Sequence, residues 1–200
     1  MLFWCAVVAT GLSALAFSLA AVAAMPWLAW VQIAAGLALT MGAGLFPVRV
    51  PGTKNSFIVG EIFIFLVLLM HGPAAAAVVA AAEAGVGTWR TSKRWTSRLF
   101  SPASAALAMV ATGSLLQMAL SSMTSVGWDG AAPLLAAVMV FSALYFFANT
   151  LMVFGIPRLK RNEPFFQLPA LFSVFRWVGI AYAGSATVAT LLFVDRKSVV

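Results

Sequence analysis

Two glutamates stand out because each lies inside an apolar stretch of the sequence. Glu61 and Glu83 are flanked on both sides by runs of hydrophobic residues. An ionisable side chain at membrane depth is costly, and it usually faces the interior of a helix bundle or a water-filled cavity. The pair is therefore the first candidate for a ligand-binding or proton-sensing site, with a purely structural hydrogen bond or a position at a helix end as the alternatives.

Several basic residues are candidates for completing such a site. Arg176, near the start of the last apolar segment, is a cationic partner for a buried carboxylate, and Arg49 and Lys54 are alternatives on a proline-containing loop. Without a partner, desolvation would keep either glutamate protonated. His71 precedes Gly72-Pro73 and has no second histidine or carboxylate at metal-ligand spacing. It is interpreted as a turn or interfacial residue, with pH sensing as an alternative, and not as a metal ligand.

The remaining polar residues predict no catalytic site. The single cysteine, Cys5, lies in the first apolar run, so there is neither a disulfide framework nor a cysteine metal site. Gln117 and Asn149 are isolated polar residues in apolar segments, where hydrogen bonding between helices is the default role. No catalytic residue, metal site or cofactor is therefore predicted for this chain.

The composition requires a membrane environment. Hydrophobic residues make up 63% of the chain and charged residues 8%, and the mean hydropathy is +1.02. A soluble domain usually has about 45–50% apolar and about 25% charged residues. The predicted fold is all-α, a polytopic membrane helix bundle in which the chain forms about seven transmembrane helices of about 20 residues each.

The apolar segments and their breaks define the predicted helices. These are residues 2–24, 27–46, 56–70, 74–89, 102–123, 133–154 and 171–194. The proline- and glycine-rich segment 46–54 is predicted to be an extended or re-entrant loop after helix 2. Gly155-Ile156-Pro157 is predicted to end helix 6, and 163–167 to lie along the interface. Helices 3 and 4 are short for a bilayer, which places them inside the bundle.

The distribution of basic residues among the connections predicts the orientation of the chain in the membrane. The connections after helices 2, 4 and 6 carry two, four and three Lys or Arg, and those after helices 1, 3 and 5 carry none. The positive-inside rule then places the N-terminus in the cytoplasm and the C-terminus of a seven-helix chain outside. The residues predicted to contact lipid headgroups and set this topology are Arg90, Lys93, Arg94, Arg98, Arg158, Lys160 and Arg161. The bilayer is the expected partner of this charge, in preference to nucleic acid.

The last six residues suggest a separate origin. Residues 195–200 match what one frame of a common sequencing adapter encodes, and they fit no expected stop-transfer pattern. We therefore divide the chain into a membrane-embedded domain at 1–194 and a non-native tail at 195–200, and expect the natural protein to continue past Val194. A short natural tail is the alternative.

Several segments of the chain form a recognisable pattern. The stronger ones are Phe46-Pro47-Val48-Arg49-Val50-Pro51-Gly52, Gly60-Glu61-Ile62-Phe63-Ile64-Phe65, His71-Gly72-Pro73, Glu83, Trp89-Arg90-Thr91-Ser92, Lys93-Arg94-Trp95-Thr96-Ser97-Arg98 and Pro102-Ala103. Weaker ones are Tyr145-Phe146-Phe147-Ala148-Asn149-Thr150 and Tyr182-Ala183-Gly184-Ser185. Together they resemble the N-terminal membrane sensor region of bacterial diguanylate cyclases and related cyclic di-GMP signalling proteins.

The resemblance implies a sensory or anchoring module in the bacterial inner membrane. In that family a cytoplasmic domain, commonly of the GGDEF type, makes cyclic di-GMP and works as a dimer. This sequence contains no such domain, so the resemblance implies an input half without enzymatic activity of its own, a homodimer in the full-length protein, and a small-molecule ligand in a cavity lined by helices 3, 4 and 7.

Two other functions fit the same pattern. Short, broken helices around a midplane site are typical of transporters, so a membrane subunit for uptake of a small molecule of the vitamin type is the main alternative. A structural anchor without a ligand is the third. A reading frame that runs on into a GGDEF-type domain favours the signalling function, and a stand-alone gene beside an ATPase favours transport.

Overall fold

The computed structural model describes residues 2–44, 48–49, 56–57, 60–128, 130–161 and 168–199. Within these ranges the chain forms seven helices and one short pair of strands. The helices are α1 (Leu2–Ala23), α2 (Trp27–Gly44), α3 (Glu61–His71), α4 (Pro73–Thr91), α5 (Trp95–Ser125), α6 (Ala131–Arg161) and α7 (Leu168–Val199). The helical prediction is thus confirmed.

The loop after α2 contains the strand pair. β1 (Val48–Arg49) and β2 (Ser56–Phe57) are antiparallel, with Val48 opposite Phe57. The prediction of extended backbone is confirmed for β1, and the other residues of the predicted loop 46–54 lie outside the described part of the chain. The prediction that helix 3 begins at Ser56 is wrong, because Ser56 pairs with β1 and α3 begins only after Gly60.

The helices α3 and α4 form a hairpin around a single glycine. Gly72 has φ 84° and ψ −179°, a conformation that is essentially restricted to glycine. Pro73 is the first residue of α4, where its missing N–H and fixed φ are tolerated. The 11 residues of α3 extend about 16 Å at 1.5 Å per residue, roughly half the hydrocarbon thickness of a bilayer. The prediction of an unusually short third helix is confirmed.

Three later helices are longer than predicted. α5 begins at Trp95 and continues past Pro102, and α6 continues past Pro157, so the predicted end at Gly155-Ile156-Pro157 is wrong. A proline removes one backbone hydrogen bond, but apolar helices packed on neighbours tolerate the loss. α7 continues to Val199, so residues 195–199 of the tail extend this last helix. The segment 163–167 lies outside the described residues.

Small side chains let α4 occupy the centre of the bundle. Its residues Ala75, Ala76, Ala77 and Val79 are fully buried, and α4 contacts α1, α2, α3 and α5. A Cβ atom at Gly11 in α1 would overlap the backbone of Ala103 in α5, so the helices meet at backbone distance there. Close approach of small residues is how helices gain packing energy in lipid, where apolar burial gives little.

Aromatic side chains join α3, α6 and α7. Phe65 contacts Phe141 edge to face at a centroid distance of 5.4 Å, and Tyr182 lies 5.1 Å from Phe146 and 6.1 Å from Tyr145. All of these side chains are buried. We call these five residues the aromatic cluster. Edge-to-face and tilted contacts at such distances are favourable, so the cluster fixes α7 against the short helix α3.

Three helical segments are long and apolar enough to cross a membrane. They are Leu2–Ala23, Trp95–Ser125 and Ala131–Met152, while α3 and Trp27–Ala43 are shorter apolar helices. Large hydrophobic side chains also lie exposed on the outside of the bundle, among them Leu19, Leu39 and Leu191. An apolar exterior of this kind marks a surface that contacts lipid or protein rather than water.

Candidate functional site

The hairpin brings Glu61 and Glu83 together. Glu61 lies eleven residues before Gly72 and Glu83 eleven residues after it, so the antiparallel helices place them at the same level. Both side chains are partly buried, and the charge of Glu61 acts on Glu83. The sequence singled out both residues but did not predict that they form one site.

Glu61 is supported by two groups that favour a negative charge. It is the first residue of α3, where the unpaired N–H groups give the helix end a partial positive charge. The hydroxyl of Tyr182 in α7 donates a hydrogen bond to its carboxylate. The site therefore spans α3, α4 and α7, the three helices that were predicted to line it.

Glu83 has a different environment. Its Oε1 atom is buried and has no hydrogen-bond partner among the described residues. This atom lies against Gly60, where an added Cβ would be 2.5 Å from Oε1 and 3.1 Å from Cγ2 of Thr40. Glycine at position 60 therefore makes room for the carboxyl group, and a buried oxygen without a donor favours a protonated carboxyl over a charged one.

The sequence analysis did not select Tyr182 or Gly60 as site residues. The chain has only two tyrosines, and both lie in apolar segments. A buried tyrosine hydroxyl usually finds a hydrogen-bond partner, so this was a usable signal for Tyr182. Gly60 directly precedes Glu61. Its contact with Glu83 forms only in the folded hairpin, so the residues next to Gly60 in the sequence do not predict it.

Two predicted basic partners have side chains outside the described part. Arg49 belongs to β1, where it is paired with Ser56, and Arg176 belongs to α7. Their roles as partners of the glutamates stay predictions. In the described residues no group of three or more His, Cys, Asp or Glu could hold a metal ion.

His71 does not belong to the carboxyl pair. It is the last residue of α3, about 15 Å along the helix axis from Glu61 at 1.5 Å per residue. Its Nε2 atom is buried without a hydrogen-bond partner in the described structure. The prediction of a residue at a turn is confirmed.

Arg98 has a structural role that the sequence analysis missed. Its guanidinium lies 4.1 Å from the ring centroid of Trp89, and Nε donates a 2.9 Å hydrogen bond to the backbone oxygen of Ser92. It therefore holds the end of α4 against the start of α5. Arg90, Lys93 and Arg94 are exposed at the same junction.

The other basic residues lie at the C-terminal end of α6. Arg158, Lys160 and Arg161 are within the helix rather than in a loop, and their side chains lie outside the described part.

Comparison of the chain with protein-family models, with curated proteins and with solved structures finds no match.

Proposed function

We propose that this chain is the membrane-embedded sensory or anchoring module of a bacterial cyclic di-GMP signalling protein, lying in the inner membrane with its N-terminus in the cytoplasm. The resemblance of its sequence to the membrane region of diguanylate cyclases supports the signalling class. In this proposal α2, α3, α4 and α7 also lie in the membrane, beside the three long apolar spans, which gives the seven segments expected from the sequence. In this proposal the module senses or anchors, and its output would come from a cytoplasmic domain encoded further along the gene.

The observation that carries the proposal is the carboxyl pair between α3, α4 and α7. Two carboxylates this close in an apolar interior repel each other, so binding of a proton or a cation stabilises the pair. Tyr182 and the N-terminus of α3 both favour the charged form of Glu61. A change of charge at this pair changes the contact between α3 and α7.

This contact links the pair to the end of the chain. α7 is the last helix, and it is held to α3 and α6 by Tyr182 and the aromatic cluster. A ligand or proton that prefers one arrangement of α7 shifts the population toward that arrangement. The signal would reach the cytoplasmic domain through α7 and one further span that returns the chain to the cytoplasm.

The experiment begins with the genomic sequence downstream of the codon for Val194. A reading frame that continues into a GGDEF-type domain is expected, and one that does not would refute the signalling function. The continued protein is then expressed, and cyclic di-GMP is measured for Glu61→Gln and Glu83→Gln. Both are expected to change its level at least about threefold, the effect of a small coupling free energy.

A matched control separates the site from general damage. Thr10→Val removes a hydroxyl whose hydrogen bonds stay within α1, so its cyclic di-GMP level should equal that of the unmodified protein. If both glutamine variants also equal the unmodified protein, the carboxyl pair is not the switch, even where a GGDEF-type domain follows.

A transport subunit is the second candidate. α3 has 11 residues, begins with an acidic residue and follows the strand β2, as in broken helices around a midplane substrate site. Uptake of a radiolabelled vitamin by cells that express the chain together with a neighbouring ATPase tests this candidate. Uptake that needs both proteins would favour it over signalling.

A further inference from the structure

A separate cavity lies at one end of the bundle. It has a volume of about 910 Å³ and forms where three connections meet, at Met25-Pro26, at Gly72 and at Trp128. Phe193 and Arg196 near the end of α7 also line it. The cavity is distinct from the carboxyl pair, because His71 lines it and Glu61 is at the other end of α3.

The lining is apolar with a few hydrogen-bonding groups. Leu116, Leu120 and Trp128 are among the apolar residues. Polar side chains also line the cavity: His71, Gln32, Gln117, Thr124 and Arg196. No acidic side chain is among the described lining residues. Pockets of about 300–1,000 Å³ with this mixture are typical of sites for small, mainly apolar molecules.

His71 has a buried polar atom without a partner next to the cavity. Its Nε2 is buried and has no hydrogen-bond partner within the described structure, and a buried polar atom without a partner costs free energy. A hydroxyl group of a bound molecule would satisfy it once the imidazole ring turns this atom toward the cavity. The backbone at Gly72 and Pro73, which follows His71 directly, holds the ring at the wall of the cavity.

The cavity also lies on the side where a stimulus from outside would arrive. The connections that meet there, after α1, α3 and α5, contain no Lys or Arg. Under the positive-inside rule this end faces away from the cytoplasm.

We infer that this cavity is a binding site for a small amphipathic molecule, with an apolar body against Leu116, Leu120 and Trp128 and a hydroxyl head hydrogen-bonded to His71. The inference does not depend on the signalling or transport function. The same chemistry is offered by a free alcohol-like molecule and by a lipid, and the experiment distinguishes the two sources.

The test is photolabelling of the full chain in lipid nanodiscs with a diazirine-bearing octanol, followed by mass spectrometric mapping. Saturable labelling of cavity residues from at least two helices, reduced by excess octanol, is expected. His71→Ala should raise the half-saturating concentration about three- to tenfold, the effect of one lost hydrogen bond. Labelling that never saturates and spreads over exposed residues such as Leu39 would overturn the inference.

A filled cavity gives an independent check. Leu120→Trp should reduce the saturable labelling at least about fivefold because the indole occupies ligand volume, whereas Leu39→Trp, the same change at an exposed position, should not. Equal labelling of the two variants would also overturn the inference. If Leu120→Trp fails to fold, Leu134→Phe replaces it, since Leu134 also lines the cavity.

Competition identifies the source of the ligand. Excess octanol that displaces the label, while a short-chain phosphatidylcholine does not, supports a diffusible molecule. Displacement by the phospholipid supports a lipid site in the same cavity. Displacement by neither competitor contradicts both and rejects the binding site.

Discussion

The carboxyl oxygen Oε1 of Glu83 lies against the backbone of Gly60, so that a Cβ at position 60 would come within 2.5 Å of it. Gly60 has φ −62° and ψ −25°, which any residue adopts without strain. The glycine is thus required by space and not by backbone conformation. A substitution at position 60 therefore tests the packing of the Glu83 carboxyl group without straining the backbone at the start of α3.

Gly60→Ala is therefore expected to displace the Glu83 carboxyl group and to lower the free energy of unfolding by about 1 kcal/mol, a typical cost of overpacking. Denaturant titration in detergent micelles, followed by tryptophan fluorescence, measures the change. In a Glu83→Ala background the same substitution should cost little. An equal cost in both backgrounds would contradict the contact.

Gly42→Ala is the matched control for this experiment. A Cβ at Gly42 in α2 would meet no atom within 4 Å. Because alanine is a better helix former than glycine, this variant should be more stable by about 0.5–1 kcal/mol. If this variant were less stable, replacing glycine by alanine would destabilise the bundle even where the new Cβ meets no atom, and the loss at position 60 could not be assigned to Glu83.

Tyr182 and Glu61 are expected to act as a pair. Tyr182→Phe and Glu61→Gln each remove one side of the hydrogen bond, and hydrogen bonds to charged groups contribute about 1.5–3 kcal/mol. A double-mutant cycle on unfolding free energy should give a coupling of about 1 kcal/mol or more. Additive effects within about 0.3 kcal/mol would show that the hydroxyl does not stabilise the carboxylate.

Gly72→Ala should destabilise the hairpin of α3 and α4. The φ of 84° with ψ of −179° at this position is nearly closed to other residues, and forcing it costs about 1–3 kcal/mol. Gly87→Ala in α4, where an added Cβ would meet nothing within 4 Å, is the control and should raise stability. If both variants behave alike, the special backbone at Gly72 is not what shapes the hairpin.

The predictable part of this fold comes from local signals. Long apolar runs define α1 and α2, and His71-Gly72-Pro73 marks the turn because glycine and proline have strong backbone preferences. The charge of Glu61 and Glu83 inside apolar runs identified both as site candidates. These inferences needed only residues that are adjacent in sequence.

The unpredicted part depends on contacts between distant segments. β2 replaces the first turn of the expected helix 3 because Ser56 finds a partner in β1. α6 continues past Pro157, although a proline in isolation is a reason to end a helix. The links of Glu83 to Gly60 and of Glu61 to Tyr182 arise only when α3, α4 and α7 come together.

Arg98 is expected to stabilise the junction of α4 and α5 through shape as well as charge. Its guanidinium stacks on Trp89 and donates to the backbone of Ser92, and an exposed cation–π contact with one such hydrogen bond contributes about 1 kcal/mol. Arg98→Ala should lose this amount, and Arg98→Lys should recover only part of it because an ammonium lacks the planar fork. Arg94→Ala, an exposed charge at the same junction, serves as the control in a denaturant titration and should change stability by less than about 0.5 kcal/mol. Full recovery by lysine would show that charge alone is needed at position 98, as for a residue that only contacts lipid headgroups.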